Sequence, residues 1–552
     1  RPTACFGQAA VAVAPLDPGN AEARDRGADH ARDVDPDLFL ADQGERIVGP
    51  RIVVQQFHIR RATLYSETEL NEQLADLLGR ELNFSELQNA PNRLVDYYKQ
   101  RGYLVRAFFP PQDVVDGHVE LVVVEGKFGS IHIEGDGVRT DRSRIAGIVS
   151  YRQARGTPVD LNNLTTALAI LSEQPGLSVQ STLTPGSSDG DTDLYVRVSP
   201  ASLFSYSIQT NNNGNLATGY AQVGGNASVS NASGLFDLGV LTFNTSEGMN
   251  FLRGDYSIAA GNSGLRVGLN IAKLQYRFTQ AAFLALEGKG SADSIGFSAQ
   301  YPWVRRDMLN LGIALGLDRK AMQDFTLAGE TTNKSVNVFS IGISGMALDA
   351  LMSEGSTAFG INVAGGDIDL SRNANSLSVD ETTRQTQGGF AKIGYNVSRQ
   401  QNIFGSVGIN ANIRGQVANK NLDPSEQFSL GGPSGIRAYP VGEASGDSGW
   451  LAKLVAKYAL SKNLSASVFF ETGHIQLNKS TWANWNAGNV KLPNEYDLSG
   501  AGVGLDWITG RISINAAIAG QLGDNPRREN TNTDADGGRG QLRGWISAVA
   551  QF

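Results

Sequence analysis

The sequence predicts an all-β transmembrane barrel of about sixteen antiparallel strands preceded by two α/β domains, and three observations carry this reading. From about residue 201 to the C-terminus, short segments alternate apolar and polar residues and are separated by clusters of Asn, Gly, Ser and Asp. Before them, a β-α-α-β-β order occurs twice in succession. No apolar run approaches the ~18 residues that a spanning helix needs; Ala9–Ala14 and Ala167–Leu171 are far too short.

Composition narrows the function classes. Apolar residues make up 41%, an ordinary fraction that a barrel with one wet and one greasy face also has. A formal charge of −8 argues against a nucleic-acid partner. Cys5 is the only cysteine, so neither an intrachain disulfide nor a cysteine metal cluster can form. The histidines His30, His58, His118, His132 and His474 lack ligand spacing, and no metal or other cofactor is expected. Neither G-x-S-x-G nor a phosphate-binding G-x-x-x-x-G-K-[ST] is present, so an enzyme is the least supported class.

Residues 1–19 form an N-terminal tail in which Ala10-Val11-Ala12 and Ala12-Val13-Ala14 are compatible with the remnant of a secretory signal peptide or with a plain tail. Residues 20–33 carry helix formers behind Asn20, but their charges run all round. Such a helix suits solvent or a polar cavity rather than a core. Residues 34–50, with Pro36 and several acids, read as a linker.

The first α/β domain spans residues 51–127. It predicts a strand at Ile52–Ile59, a helix from Ser66 with Glu69 completing a capping box, a second helix over Asn83–Arg101, and strands at Tyr103–Phe109 and His118–Val124. The second domain, residues 128–200, repeats the order with helices near Arg142–Val149 and Asp160–Ser172. In the remaining 201–552, Phe204, Tyr206 and Ile208 alternate with Ser205, Ser207 and Gln209, as Leu265, Val267, Leu269 and Ile271 alternate with Arg266, Gly268 and Asn270. The chain ends on an aromatic, Phe552.

Longer motifs now add a resemblance. The stretch DYYKQRGYLVRAFFPPQD (Asp96 to Asp113), followed by Gly117 and by Val124-Glu125-Gly126, resembles the first POTRA domain of two-partner secretion transporters. That family includes the transporters of filamentous haemagglutinin and of haemolysins, within the superfamily of the barrel-assembly protein BamA. YPWVR (Tyr301 to Arg305) is similar to a strand motif of the family. QFSLGGPSGIRAYP (Gln427 to Pro440) with SGDSG (Ser445 to Gly449) resembles the superfamily's inward-folded loop, about 427–449 here. FFETG (Phe469 to Gly473) resembles the wall strand facing it. Two positions depart from the pattern: Ala438 replaces the usual Gly and Glu471 the usual Asp.

The resemblance implies an outer-membrane transporter, POTRA domains in the periplasm, that secretes a large adhesin- or haemolysin-like partner exoprotein. A BamA-type insertion factor is the alternative, and a passive porin is disfavoured by the repeated α/β domain. It implies that Arg437, on the loop, meets Glu471 on the wall, with Tyr439, Phe469 and Gly473 completing a loop–barrel lock. Residues 20–33 would be the pore-plugging helix of the family. Client-binding candidates are Tyr97, Tyr98, Tyr103, Val105, Phe108 and Phe109. Phe552 would be the signal read by the barrel-assembly machinery, the barrel would contact outer-membrane lipid, and the chain would act as a monomer.

Overall fold

The computed structural model describes residues 12–13, 51–188, 190–280, 284–285, 287–488, 490–528 and 532–552. The expected helix at 20–33, the linker at 34–50 and all of the N-terminal tail except Ala12 and Val13 lie outside the described residues. Two compact units form: one holds residues up to Asp136, Ile145–Ser172 and Val179–Ser199, the other Gly137–Arg144, Glu173–Ser178 and Pro200–Phe552.

The second unit is dominated by a closed barrel of sixteen antiparallel strands, from Phe204–Asn211 to Leu542–Gln551. Each strand pairs with its neighbour in sequence, and the last returns to the first through five residue pairs, Ser207↔Gln551 to Asn211↔Ser547. Closure leaves no strand edge, as backbone in a bilayer requires. At the end where the chain enters, connections are short, such as 307–308, 405–406 and 510–511; at the other end they include 419–447, 477–494 and 523–541. Period-two alternation sets the two faces. Along Leu464–Gln476, Val468 and Phe470 are exposed outward, whereas Phe469, Glu471 and Ile475 are buried inside. The outward face thus carries apolar side chains to lipid, and the inward face mixes polar groups with the apolar residues, such as Phe469 and Ile475, that receive the loop.

In the first unit, His118–Glu125 lies between Gln56–Arg60, to which it is parallel, and the antiparallel edge strand Val105–Phe108. Ile52–Val53 is a separate strand paired with Glu81–Leu82, so the expected Ile52–Ile59 strand is split. The expected helix over 83–101 is also divided. Asn83 and Glu86 make a full capping box on Phe84–Leu87, and Asn89–Gln100 follows as a second helix. Pro91 near its start lacks the amide hydrogen that would have joined the two. Ser66 caps Glu67–Glu72 through the Glu69 amide, but the Glu69 carboxylate accepts from the Tyr97 hydroxyl at 2.5 Å. The second sheet is ordered Ala12–Val13, Leu177–Pro185, Asp191–Pro200, Lys127–Glu134, with the first pair running parallel along an edge.

Glu125 ties the first domain together. Its buried carboxylate accepts from the amides of Thr63 and Leu64, each at 2.8 Å, from the Thr63 hydroxyl, and from the Tyr98 hydroxyl at 2.9 Å. Burial pushes its pKa up, but these four donors together outweigh burial and hold it below the usual carboxylate range. Burial, with the Glu125 contact, pushes the Tyr98 hydroxyl well up. A carboxylate with a depressed folded pKa stabilises the fold above its unfolded value, near 4.5, and that contribution fades as pH falls through the folded value. Glu125→Gln should cost about 2 kcal/mol at neutral pH. Hydrogen exchange of the Tyr98 and Tyr103 amides in the full chain should then accelerate about thirtyfold, with the gap between variant and parent narrowing below pH 4.5. An unchanged exchange rate at pH 7 would remove Glu125 from this role.

Candidate functional site

The site is built on the 419–447 connection, which leaves the strand Val407–Ala418 and returns through Ser448–Ala459. It opens with a turn, Pro424–Glu426, whose preceding Asp423 accepts from the Ser425 amide at 2.9 Å. Phe428–Ser429 pairs with Ser445–Gly446 as a two-residue stem. Beyond it the chain folds onto the wall, where Leu430, Ile436, Ala438 and Tyr439 are fully buried beside Leu451, Phe469 and Leu498. Gly435 makes the fold possible: a Cβ there would stand 1.8 Å from the Leu430 carbonyl oxygen.

At the tip, Arg437 meets Glu471, which has no solvent exposure. The Arg437 Nε donates to Oε1 at 2.8 Å and the Arg437 backbone amide to Oε2 at 2.6 Å. The contact is thus two-pronged, but through one guanidinium and one backbone N–H rather than through the guanidinium fork. Lys453 Nζ, from the neighbouring strand, lies 3.4 Å from Oε1. The guanidinium carbon sits 3.3 Å from the centroid of the Phe469 ring, a cation–π contact. Trp545 on the last strand donates from Nε1 to the Arg437 carbonyl at 2.7 Å, and Tyr439 donates to the Ser499 carbonyl at 3.3 Å. Gly473 lets Leu430 approach: a Cβ there would meet its Cδ2 at 2.7 Å.

Both departures from the family pattern have a local explanation. Ala438 does not take the left-handed conformation, so its backbone does not need glycine. Its methyl instead faces Gly500, where a Cβ would come within 2.5 Å of the Ala438 Cβ; the missing side chain is on the wall. Glu471 uses its extra methylene to reach both Arg437 donors.

Two further anchors escape sequence reasoning because their partners lie on strands and connections that only the barrel's register brings together. At the base of the loop, Glu426 receives Lys320 at 2.6 Å and Lys392 at 2.9 Å, and Asp423 receives Lys334 at 2.7 Å. These lysines come from three wall strands, Leu309–Thr326, Gly329–Asp349 and Gly388–Phe404. On the other side the fully buried Glu443 accepts from the Ala535 amide at 2.6 Å and from Asn525 at 3.2 Å, both in the 523–541 connection. That connection is itself held by Asp534 with Arg528 and Arg543.

The client-binding candidates divide differently from expectation. Tyr97 and Tyr98 are core residues of the first domain, and Tyr103, Val105 and Phe109 pack against that core. As core residues the two tyrosines cannot offer an accessible surface, which corrects their assignment as client-binding residues. Phe108 is the most exposed of the six, on the edge strand of its sheet among the described residues. Phe552 closes the barrel seam, exchanging backbone bonds with Tyr206 at 2.9 and 3.3 Å and stacking on its ring at 5.1 Å.

With this geometry in place, residues 190–506 match the family described as haemolysin secretion/activation protein ShlB/FhaC/HecB, and residues 52–126 match the ShlB-type POTRA domain. The chain belongs to this family. It resembles the heme/hemopexin transporter protein HuxB of Haemophilus influenzae (strain 86-028NP), at 27% identity over 83% of this chain and 81% of the relative. The outer membrane transporter CdiB of Dickeya dadantii is 21% identical over 85% and 84%. The solved structure of CdiB from Escherichia coli superimposes with a TM-score of 0.73 at 18% identity, covering 93% of both chains, and speaks for the fold. The chain is thus an outer-membrane transporter of the two-partner secretion type, with POTRA domains in the periplasm, and it exports a partner exoprotein.

The packing gives two predictions. Gly500→Val should push Ala438 off the wall and make the loop cleavable by added protease, while the barrel still closes, as read by its heat-modifiable gel mobility. Asp423→Lys leaves Lys334 without its buried partner and should cost about 3 kcal/mol. Reversing both, with Lys334→Asp, should return the single-channel conductance in planar bilayers toward that of the parent; no return would show that this pair does not fix the loop base.

Proposed function

We propose that the Arg437–Glu471 pair holds the loop inside the lumen and so sets the gate through which the partner protein passes. The carrying observation is that a fully buried wall carboxylate takes both an arginine side chain and the backbone of the loop tip. Such a charge is stable only while its donors stay in place, so the loop has one low-energy position. Movement of the client requires that position to be given up, and the sixteen-stranded wall then encloses room for an extended polypeptide.

The client is a large exoprotein of the adhesin or haemolysin class, delivered unfolded to the periplasmic domains. The edge strand Val105–Phe108, last in its sheet among the described residues and with Phe108 exposed, supports strand addition by an extended client through main-chain hydrogen bonds. Phe552 serves as the mark read by the barrel-assembly machinery, and the transporter works as a monomer.

Charge exchange tests the gate. Arg437→Glu or Glu471→Arg alone should abolish most release of a co-expressed partner, and the two together should recover part of it. Recovery stays partial because Lys453 would face the new arginine. No recovery at normal barrel levels would defeat the proposal.

A further inference from the structure

The outward face of the barrel carries a groove of about 530 Å³ that the secretion mechanism does not use. Register places Leu241, Gly254, Ile271, Ile295 and Arg319 in one row across five strands. Leu241, Ile271 and Ile295 are exposed large apolar residues, so the row faces lipid and Arg319 faces lipid with it. The next row runs Leu252, Lys273, Asp293, Ala321 on the same face. Gly254 opens the groove: a Cβ there would touch nothing within 4 Å.

Height along the strands locates the groove in the membrane. Outward residues of one strand run Val267, Leu269, Ile271 and then Lys273, Gln275, Arg277 toward the 278–288 connection. The strand two further on runs Ile313, Leu315, Leu317 and then Arg319 toward its own outer turn. The change from apolar to charged falls at Lys273 and Arg319, on the side opposite the periplasmic turns. This is the level of the outer-leaflet headgroups. Lys273 is an exposed cation with one acidic neighbour, Asp293, at 3.4 Å. Arg319 makes no hydrogen bond or ion pair among the described residues.

We propose that this groove binds the phosphorylated glycolipid of the outer leaflet, lipid A, with an acyl chain along Leu241, Gly254 and Ile271 and a phosphate held between Lys273 and Arg319. Lys273 and Arg319 stand above an apolar trough with the Asp293 carboxylate on the strand between them and Asp369 near enough to act on Arg319. The two cations match an anionic headgroup joined to hydrocarbon once Asp293 turns aside, and an arginine gives a phosphate two parallel donors. A phosphate placed there would also draw Lys273 from its loose contact with Asp293.

The test is a titration of the full chain in mild detergent with bis-phosphorylated lipid A, bound lipid being counted by native mass spectrometry. Lys273→Gln with Arg319→Gln should weaken retention about thirtyfold, and Gly254→Leu should weaken it by blocking the acyl trough with both charges intact. Lys462→Gln, in a turn at the opposite end, should change nothing. Lipid A stripped of phosphate should bind poorly, and inorganic phosphate should not compete. Undiminished retention in both the double-charge and Gly254→Leu proteins would overturn the site. So would equal retention of phosphatidylglycerol, which marks a general anionic girdle, or full competition by inorganic phosphate, which marks a phosphate site without a lipid.

Discussion

Glu471 is a carboxylate with no exposure to solvent, set in the wall of a barrel. An ion in that position is tolerable only with close donors, and the wall supplies one in Lys453 while the loop tip supplies two from Arg437. The rest of the lumen is arranged around that requirement. Phe469 lies under the guanidinium, Trp545 holds the Arg437 carbonyl, and Gly500 leaves room for Ala438. The contact joins the wall strands Ser448–Ala459 and Leu464–Gln476, through the loop, to the last strand at the seam.

The loop is fixed at more than its tip. Lysines from three strands grip its base through Asp423 and Glu426, and the 523–541 connection grips Glu443. These anchors differ in chemistry. The base has cations on the wall and acids on the loop, the tip has the reverse, and the Glu443 contact uses neutral donors. Under the proposed gating, a passing segment of client would have to compete with several distinct contacts, and release at the tip would leave the base as a hinge. The arrangement fits a gate that opens under an engaged partner and returns without a nucleotide.

Much of this was legible in the chain. Alternation such as Phe204, Tyr206, Ile208 against Ser205, Ser207, Gln209 reports directly on a sheet with one greasy face, and sixteen strands follow from length. The repeated β-α-α-β-β order needed only caps and periodicity. Arg437 and Glu471 were legible through motif resemblance, although their donor geometry was not, because a backbone amide leaves no mark in sequence. The lysine anchors and Glu443 were hidden for a related reason: lumen-facing charges in a barrel look alike until register places them. Tyr97 and Tyr98 misled in the opposite direction, since an amphipathic tyrosine pair on a helix reads equally as surface or core. The hydroxyl contacts to Glu69 and Glu125 decide for the core.

The Arg437–Glu471 pair is proposed to set the position of the loop tip, and a distance measurement tests this most directly. Spin labels at Ser434 on the loop and Lys462 in a periplasmic turn, with Cys5 replaced by Ser, report that position in the membrane-embedded transporter. A single narrow distance is predicted for the parent protein and a broad, shifted distribution after Glu471→Gln. The same narrow distance in both proteins would contradict the claim and place the hold on the loop elsewhere.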